Sequence, residues 1–339
     1  MNAPTTVAAA PATATTPRLR RVLHDRRLPV AATALLFLMM YGYGSYRYSF
    51  DAQVGPNLLV NNCYLVIAAV GVTFVILAGG IDLSVGSVIG FSGMLLAKLI
   101  VAYHVPAGVA ALIVLAVGTA GGALMGGMVQ VYKVPPFIAT LTGLFLFRGL
   151  SLVLSKEAIP VDDAGVTQLA QYHVPLGGGT FLSVGALVAL VTVAVAAYVL
   201  HLTRFGRQVY AIGGSEQSAL LMGLPVGRTK VGVYAVSGFC SALAGLVFVL
   251  YIQSGDPLHA IGLELDAIAA VVIGGTLLTG GAGYVVGSLL GVLVLGLIKT
   301  IISAEGTLSS WWIKIFTGVL LLAFILLQRV IGVRGTNRA

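Results

Sequence analysis

Long apolar runs alternate with short polar breaks along the chain, and the runs set its architecture. A membrane-crossing helix needs about 20 predominantly apolar residues. Ten runs read as spans: 28–43, 58–78, 83–102, 107–132, 137–154, 182–202, 231–252, 267–278, 284–302 and 311–327. The eighth is short and glycine-rich and reads as a broken span. The first follows a basic cluster, as a signal peptide core does, but no A-x-A cleavage pattern follows it, so it reads as an uncleaved helix. The predicted fold is all-α, a polytopic transmembrane helical bundle of about ten helices over 28–328. Residues 1–17 are almost entirely Ala, Thr and Pro and cannot build a core. Residues 1–27 therefore read as a disordered basic cytoplasmic tail, and 329–339 as a second cytoplasmic tail. The only long cytoplasmic loop is 203–230.

Composition narrows the picture. Of 339 residues 58% are hydrophobic and 9% charged, against about 25% charged in an ordinary soluble domain. A soluble enzyme, a nucleic-acid binder and a disulfide-stapled secreted domain are excluded. The 44 glycines are roughly double the usual share of about 7%, as close packing of membrane helices requires. Cys63 and Cys240 lie inside apolar runs with no second Cys or His nearby, so neither a disulfide nor a metal site is expected. No cofactor is expected either.

The net charge of +8 is explained by where the charges fall. With both termini cytoplasmic, the inner segments hold Arg18, Arg20, Arg21, Arg26, Arg27, Lys133, Arg204, Arg207, Arg228, Lys230, Arg329, Arg334 and Arg338, thirteen of the nineteen basic residues. The outer segments hold mostly acids, among them Asp51, Glu157, Asp162, Asp163, Asp256, Glu264, Asp266 and Glu305. This is the split that the positive-inside rule predicts.

An internal duplication appears at an offset of 201 residues: Ile67-Ala68-Ala69-Val70 recurs as Ile268-Ala269-Ala270-Val271, Gly79-Gly80 as Gly280-Gly281, and Val85-Gly86-Ser87 as Val286-Gly287-Ser288. The second and third spans therefore look like a copy of the eighth and ninth, an arrangement common in transporters, whose substrate passes near the repeat interface. In the first copy Gly79 and Gly80 break the helix, and Asp82, Ser84 and Ser87 put polar groups beside the opened backbone. Irregular backbone at membrane depth survives only inside protein or against a wet cavity. Gly79, Gly80, Asp82, Ser84, Ser87, Gly280, Gly281 and Ser288 are thus candidates for a translocation pathway. The alternative at Asp82 is an N-cap closing a tight turn; Gly283 stands at the matching position of the second copy.

The 203–230 loop carries a second motif. Ser215 is a good N-cap, Glu216 suits the first turn of a helix, Gly223 suits a left-handed stop and Pro225 prevents a restart. These frame a short helix, 216–222, with Leu220, Leu221 and Met222 on an otherwise wet loop, the mark of a partner surface. The alternative is a helix folded back on the bundle. Glycines at four-residue spacing, Gly118, Gly122 and Gly126 and again Gly283, Gly287 and Gly291, read as helix-packing seats. Arg148 lies well inside the fifth span, where a charge is a functional candidate unless it reaches outward to Glu157 or the headgroups. No phosphate-binding loop and no catalytic constellation are present in the sequence.

The run Val75-Ile76-Leu77-Ala78-Gly79-Gly80-Ile81-Asp82-Leu83-Ser84-Val85-Gly86-Ser87, the loop from Thr203 to Gly214, and the stretch from Ala267 to Gly281 resemble the permease subunits of bacterial simple-sugar ABC importers of the ribose, xylose and arabinose type. The resemblance extends from about 58 to 327. Within that family, the segments 306–312 and 264–268 look most like one of the two permeases of the galactofuranose importer. The resemblance implies a monosaccharide permease of the inner membrane, not itself an enzyme. Its implied partners are an ATP-binding subunit with two nucleotide-binding modules, a second and related permease, and a periplasmic sugar-binding protein, with membrane lipid around them and no nucleic acid. The short helix, Ser215, Glu216, Gln217, Ser218, Ala219, Leu220, Leu221, Met222 and Gly223, would couple to the ATPase. Its sequence is similar to the E-A-A-x-x-x-G pattern of importer permeases, with Gln and Ser at the first positions and the acid one residue early. A permease for a branched-chain amino acid or nucleoside, and a self-sufficient secondary carrier, are the alternatives.

Overall fold

The computed structural model describes residues 28–306, 309 and 311–336. The tail expected over 1–27 lies outside the described residues, as do 337–339 of the second tail. Fourteen helices and four very short strands follow one another among the described residues. They are α1 (Leu28–Tyr48), α2 (Val54–Val60), α3 (Cys63–Leu77), α4 (Val85–Val101), α5 (Ala107–Val131), α6 (Pro136–Leu154), β1 (Ile159–Pro160), α7 (Ala164–Gln171), β2 (His173–Gly177), β3 (Thr180–Ser183), α8 (Val184–Leu202), α9 (Arg204–Gly214), α10 (Glu216–Leu221), α11 (Val226–Ile252), β4 (Ser254–Gly255), α12 (Leu263–Ile273), α13 (Val285–Glu305) and α14 (Trp311–Thr336).

Each of the ten apolar runs holds a helix; among the described residues six of these, α1, α5, α6, α8, α11 and α13, are by themselves long and apolar enough to cross a bilayer. The second run is a bent pair, α2 and α3, which meet at 59°. The bend falls at Asn61-Asn62, where the Asn62 amide turns back to donate to the Leu58 carbonyl at 2.8 Å. Helix α4 and the Trp311–Leu326 part of α14 are shorter apolar helices. Helix α12 has 11 residues, about 16 Å at 1.5 Å per residue, and is the broken span. The backbone of α14 stays helical to Thr336, beyond the expected end of the span.

Helix α3 forms the centre, with every residue but Tyr64 buried. Against it packs α11, which is seated on α5 through the predicted glycine steps. A Cβ on Gly118 would lie 2.9 Å from the Gly238 carbonyl oxygen, one on Gly122 would overlap the Tyr234 carbonyl, and one on Gly126 would lie 2.9 Å from the Val231 Cα. The second glycine ladder works alike, since side chains on Gly287 and Gly291 would overlap the carbonyls of Gly274 and Ala270 and push α13 off α12.

The short strands sit at one end of the bundle, in two antiparallel pairs: β1 with β4, and β2 with β3 as a hairpin. The hairpin turns through Gly177, Gly178 and Gly179, all at positive φ. Beside it, Asp163 caps α7 by accepting the Gly165 and Val166 N–H groups.

Candidate functional site

The loop 203–230 folds as two consecutive helices. Thr203 opens α9 by accepting the Gly206 N–H at 3.3 Å. Ser215 closes α9 and at once opens α10, its hydroxyl accepting the Ser218 N–H at 3.3 Å. At the far end Gly223 takes φ +73°. Its N–H bonds the Leu220 carbonyl at 2.9 Å and the Leu224 N–H bonds the Ala219 carbonyl at 3.1 Å, the paired closure of a glycine-stopped helix. The expected helix 216–222 is thus Glu216–Leu221 with Met222 as its C-cap.

Burial sorts the faces of α10. Ala219 packs with Ile212, Val226 and Leu224, so the helix is clamped to α9 and to the start of α11. Lys230 Nζ donates to Glu216 Oε2 at 2.6 Å, a second tie to α11. Gln217 and Ser218 are exposed. Leu220, Leu221 and Met222 are 56%, 90% and 65% exposed, forming an apolar tip that none of the described residues covers.

Directly behind α10, three glycine pairs meet. The Gly281 N–H donates to the Leu77 carbonyl at 2.9 Å, joining the break of the second repeat copy to the end of α3 in the first. A Cβ on Gly280 would lie 2.9 Å from the Gly79 nitrogen and 3.1 Å from the Gly213 oxygen, and one on Gly281 would lie 2.7 Å from the Gly214 nitrogen. One on Gly213 would overlap the Leu77 carbonyl oxygen. Gly79, Gly280 and Gly281 all have positive φ, which an L side chain disfavours. One turn before, Tyr210 of α9 donates its hydroxyl to the Gly283 carbonyl at 2.7 Å. Burial pushes the Tyr210 phenol up to about 12, so it stays protonated through neutral pH.

From this junction the first break climbs back along the bundle. Asp82 is 1% exposed. Its Oδ1 accepts the Ser84 N–H at 2.9 Å and the Ser84 hydroxyl at 2.6 Å, and its Oδ2 accepts the Ser237 hydroxyl of α11 at 2.7 Å. Gly71 of α3 packs on the same Ser237, so Asp82 stands level with a point six residues above the end of α3, about 9 Å. Ser87, one turn on, donates to the Ser84 carbonyl at 2.6 Å. Ser288 is apart from these, on α13, sharing a 2.7 Å hydrogen bond with Thr73 of α3. The pathway candidates therefore fall into three groups: Gly79, Gly280 and Gly281 at the junction, Gly80 against Tyr234 and Val75 with Asp82, Ser84 and Ser87 leading into α4, and Ser288 inside the repeat interface.

The second break is held differently. The last carbonyls of a helix lack intrahelical partners; at the end of α12 those of Ala270, Val271 and Val272 accept the N–H groups of Gly274, Thr276 and Gly275, and side chains of other elements add further donors. Thr33 of α1 donates to the Ile273 carbonyl. Gln328 of α14 donates to the Val272 carbonyl at 3.1 Å and the Thr276 carbonyl at 3.4 Å. At the other end of α12, Lys314 Nζ meets Asp266 Oδ1 at 2.8 Å.

Arg148 does not reach Glu157. Its Nη1 donates to the carbonyls of Pro257 and His259 at 2.9 and 2.8 Å, clamping an irregular run against α4. That run leaves β4 beside Gly93 and Ala97, passes Gly90 at His259 and reaches Gly86 at Glu264. It descends eleven residues of α4, about 16 Å. Ser237, Thr33 and Gln328 are single polar residues in largely apolar helices, and Tyr210 is one of several polar residues on the amphipathic α9, so none of the four stands out in the sequence. Among the described residues no group of three His, Cys, Asp or Glu is placed to hold a metal ion.

The model of the family described as branched-chain amino acid transport system / permease component matches residues 56–325. The inner membrane ABC transporter permease protein YjfF of Escherichia coli K12 is 47% identical over 315 residues, 92% of this chain and 95% of its own length. The fructose import permease protein FruG of Bifidobacterium longum is 36% identical over 324 residues, 93% of this chain and 95% of its own. The ribose import permease protein RbsC of Bacillus subtilis is 41% identical over 275 residues, 80% of this chain and 84% of its own. No solved structure matches the chain.

Proposed function

We infer, because this chain belongs to the family of branched-chain amino acid transport system permease components, that it is the membrane-spanning subunit of an ATP-driven importer, and that its cargo is a monosaccharide. It is a multi-pass inner membrane permease and not an enzyme; ATP is hydrolysed in a partner chain. The sugar reading is supported by the fructose and ribose import permeases among its relatives. Galactofuranose is the specific substrate that we propose, from the resemblance of 306–312 and 264–268.

The observation that carries the coupling role is the apolar tip of α10. A six-residue helix is far below the 12–15 residues or so that an isolated helix needs in water, yet this one is capped at both ends and presents three exposed apolar side chains. The ATPase covers them. The loop is therefore cytoplasmic, and both termini lie on the same side. A second permease covers the other unpartnered feature: Gly79, Ile81, Leu258 and Ile261 are exposed on irregular backbone beside α4, and such backbone does not face lipid. The pathway we propose runs along that face past Gly79, with Gly80, Asp82, Ser84 and Ser87 buried just behind it and Gly280 and Gly281 at the junction below, whereas Ser288, buried between α13 and α3, lies off it. A periplasmic binding protein delivers the sugar.

The test is uptake by the complex of this chain, its ATPase, second permease and binding protein in liposomes, offered galactofuranose, ribose, fructose and leucine. ATP-dependent uptake of galactofuranose is expected. Uptake of leucine alone would overturn the sugar reading, and uptake by this chain without the ATPase would overturn the subunit reading. Leu221→Asp and Leu220→Asp are expected to leave the chain inserted while ATPase co-purification is lost. Gly223→Val, strained at φ +73°, is expected to weaken it. Normal co-purification in all three would show that α10 is only a connector.

A further inference from the structure

We propose that Gly213 and Gly281 are positioning residues that bolt α9 and α10 to both broken helices, so that one displacement of α10 reaches the two repeat breaks together. The proposal rests on the reading of α10 as the ATPase contact, and adds what lies behind it. Helices α9 and α10 share Ser215 as the last cap of one and the first of the other. They also share the cluster of Ile212, Ala219 and Val226. With no free linker between them, they move as one body.

The end of that body bears on backbone rather than on side chains. The Leu77 carbonyl oxygen is in contact with Gly213 and also accepts the Gly281 N–H at 2.9 Å. One oxygen is thus common to α3, to the second break and to α9. Side chains yield by changing rotamer, whereas backbone packed on backbone passes a displacement on. Tyr210, bonded to the Gly283 carbonyl at 2.7 Å, is a second attachment one turn away, and two attachments resist rotation as well as sliding. On the receiving side, Gly79, Gly280 and Gly281 hold positive φ at the ends of broken helices, where hinges absorb large dihedral changes. The neighbouring Gly214 has open space where its Cβ would stand, so the fit is specific to one glycine of the pair.

The experiment measures sugar moved per ATP hydrolysed by the whole transporter in liposomes, with ATPase stoichiometry checked in every variant. Coupling between sites runs at about 5- to 150-fold, so Gly213→Ala and Gly281→Ala are each expected to lower the ratio about ten-fold while the ATPase stays bound and active. Gly214→Ala should retain the parent ratio. A parent ratio in Gly213→Ala overturns the proposal, as does an equal loss in Gly214→Ala. If Gly213→Ala does not assemble, Tyr210→Phe decides: it removes a single donor, and a ratio unchanged from the parent overturns the proposal, whereas a reduced ratio with the ATPase bound supports it. A general folding defect lowers the amount of transporter without changing the ratio. Failure of the α10 reading shows separately, as retained ATPase in Leu221→Asp.

Discussion

The two copies of the duplicated unit solve one problem in two ways. Each is a helix, a glycine break and a second helix, and each must satisfy opened backbone away from water. In the first copy α3 runs to Leu77 and the break spans 78–84; in the second α12 stops at Ile273 and the break spans 274–284. The earlier stop has a local cause, because Gly274-Gly275 stands where the first copy has Thr73-Phe74, and Gly275 holds φ +92°. The first break is fixed from within: Asp82 binds the start of α4 and Ser237 of the buried α11. The second has Gly283 in place of that acid, and its carbonyls are held by Tyr210, Gln328 and Thr33, on α9, α14 and α1. Duplication thus preserved the break and separated the anchors. One break is tied to the core, and the other to elements that include the one bearing α10.

The largest effect is expected where the anchor is a single side chain. Asp82→Ala strands the Ser84 N–H and leaves the Ser84 hydroxyl without its acceptor, while the Ser237 hydroxyl must turn to a carbonyl of its own helix. A stranded buried donor costs about 1–3 kcal/mol, which puts the whole change at about 2–4 kcal/mol. Thermal unfolding of the purified permease should shift down by several degrees, and uptake should be lost with it. Asp82→Asn, which keeps Oδ1 as an acceptor, should recover most of the loss. Equal thermal midpoints for the parent and Asp82→Ala would mean that the first break is not held by this residue.

A smaller effect is expected at the second break, where three elements share the anchoring. Gln328→Leu leaves the Val272 and Thr276 carbonyls short of one donor while Thr33 still serves Ile273, a loss of about 1 kcal/mol. The midpoint should fall less than for Asp82→Ala. If Gln328→Leu were the more damaging, the division into one concentrated and one distributed anchor would be reversed.

How much of this was legible in the sequence depends on range. The ten apolar runs, the duplication and the glycine ladders are repeated signals and gave the bundle. The caps of α10 are local: Ser215 and Gly223 stand eight residues apart and mark its ends to within one residue. The anchors are neither repeated nor local. Ser237 lies 155 residues from Asp82, and Tyr210 lies 73 residues from Gly283. The partner of Arg148 was harder still to read, because backbone carbonyls carry no sequence signal, so the nearest acid, Glu157, stood out instead. The four short strands were missed because each is five residues or fewer, and their pairing depends on where the helices end.

The smallest expected effect is none at all, and it separates the Tyr210 anchor from an ionic one. The phenol donates to the Gly283 carbonyl only while it is protonated, and burial holds its pKa near 12. Below that value the donor is present; it is lost only as pH rises through it. The ratio of sugar moved to ATP hydrolysed in the parent transporter, divided by the same ratio in Tyr210→Phe, cancels the pH response of the ATPase and isolates the contribution of the hydroxyl. Between pH 6.5 and 9, a window about three units below the phenol at its upper end, this quotient should be flat. If it fell toward one by pH 9, the phenol would be ionising in that range. The second break would then be held by a group that titrates at ordinary alkaline pH, in place of a permanent donor on α9.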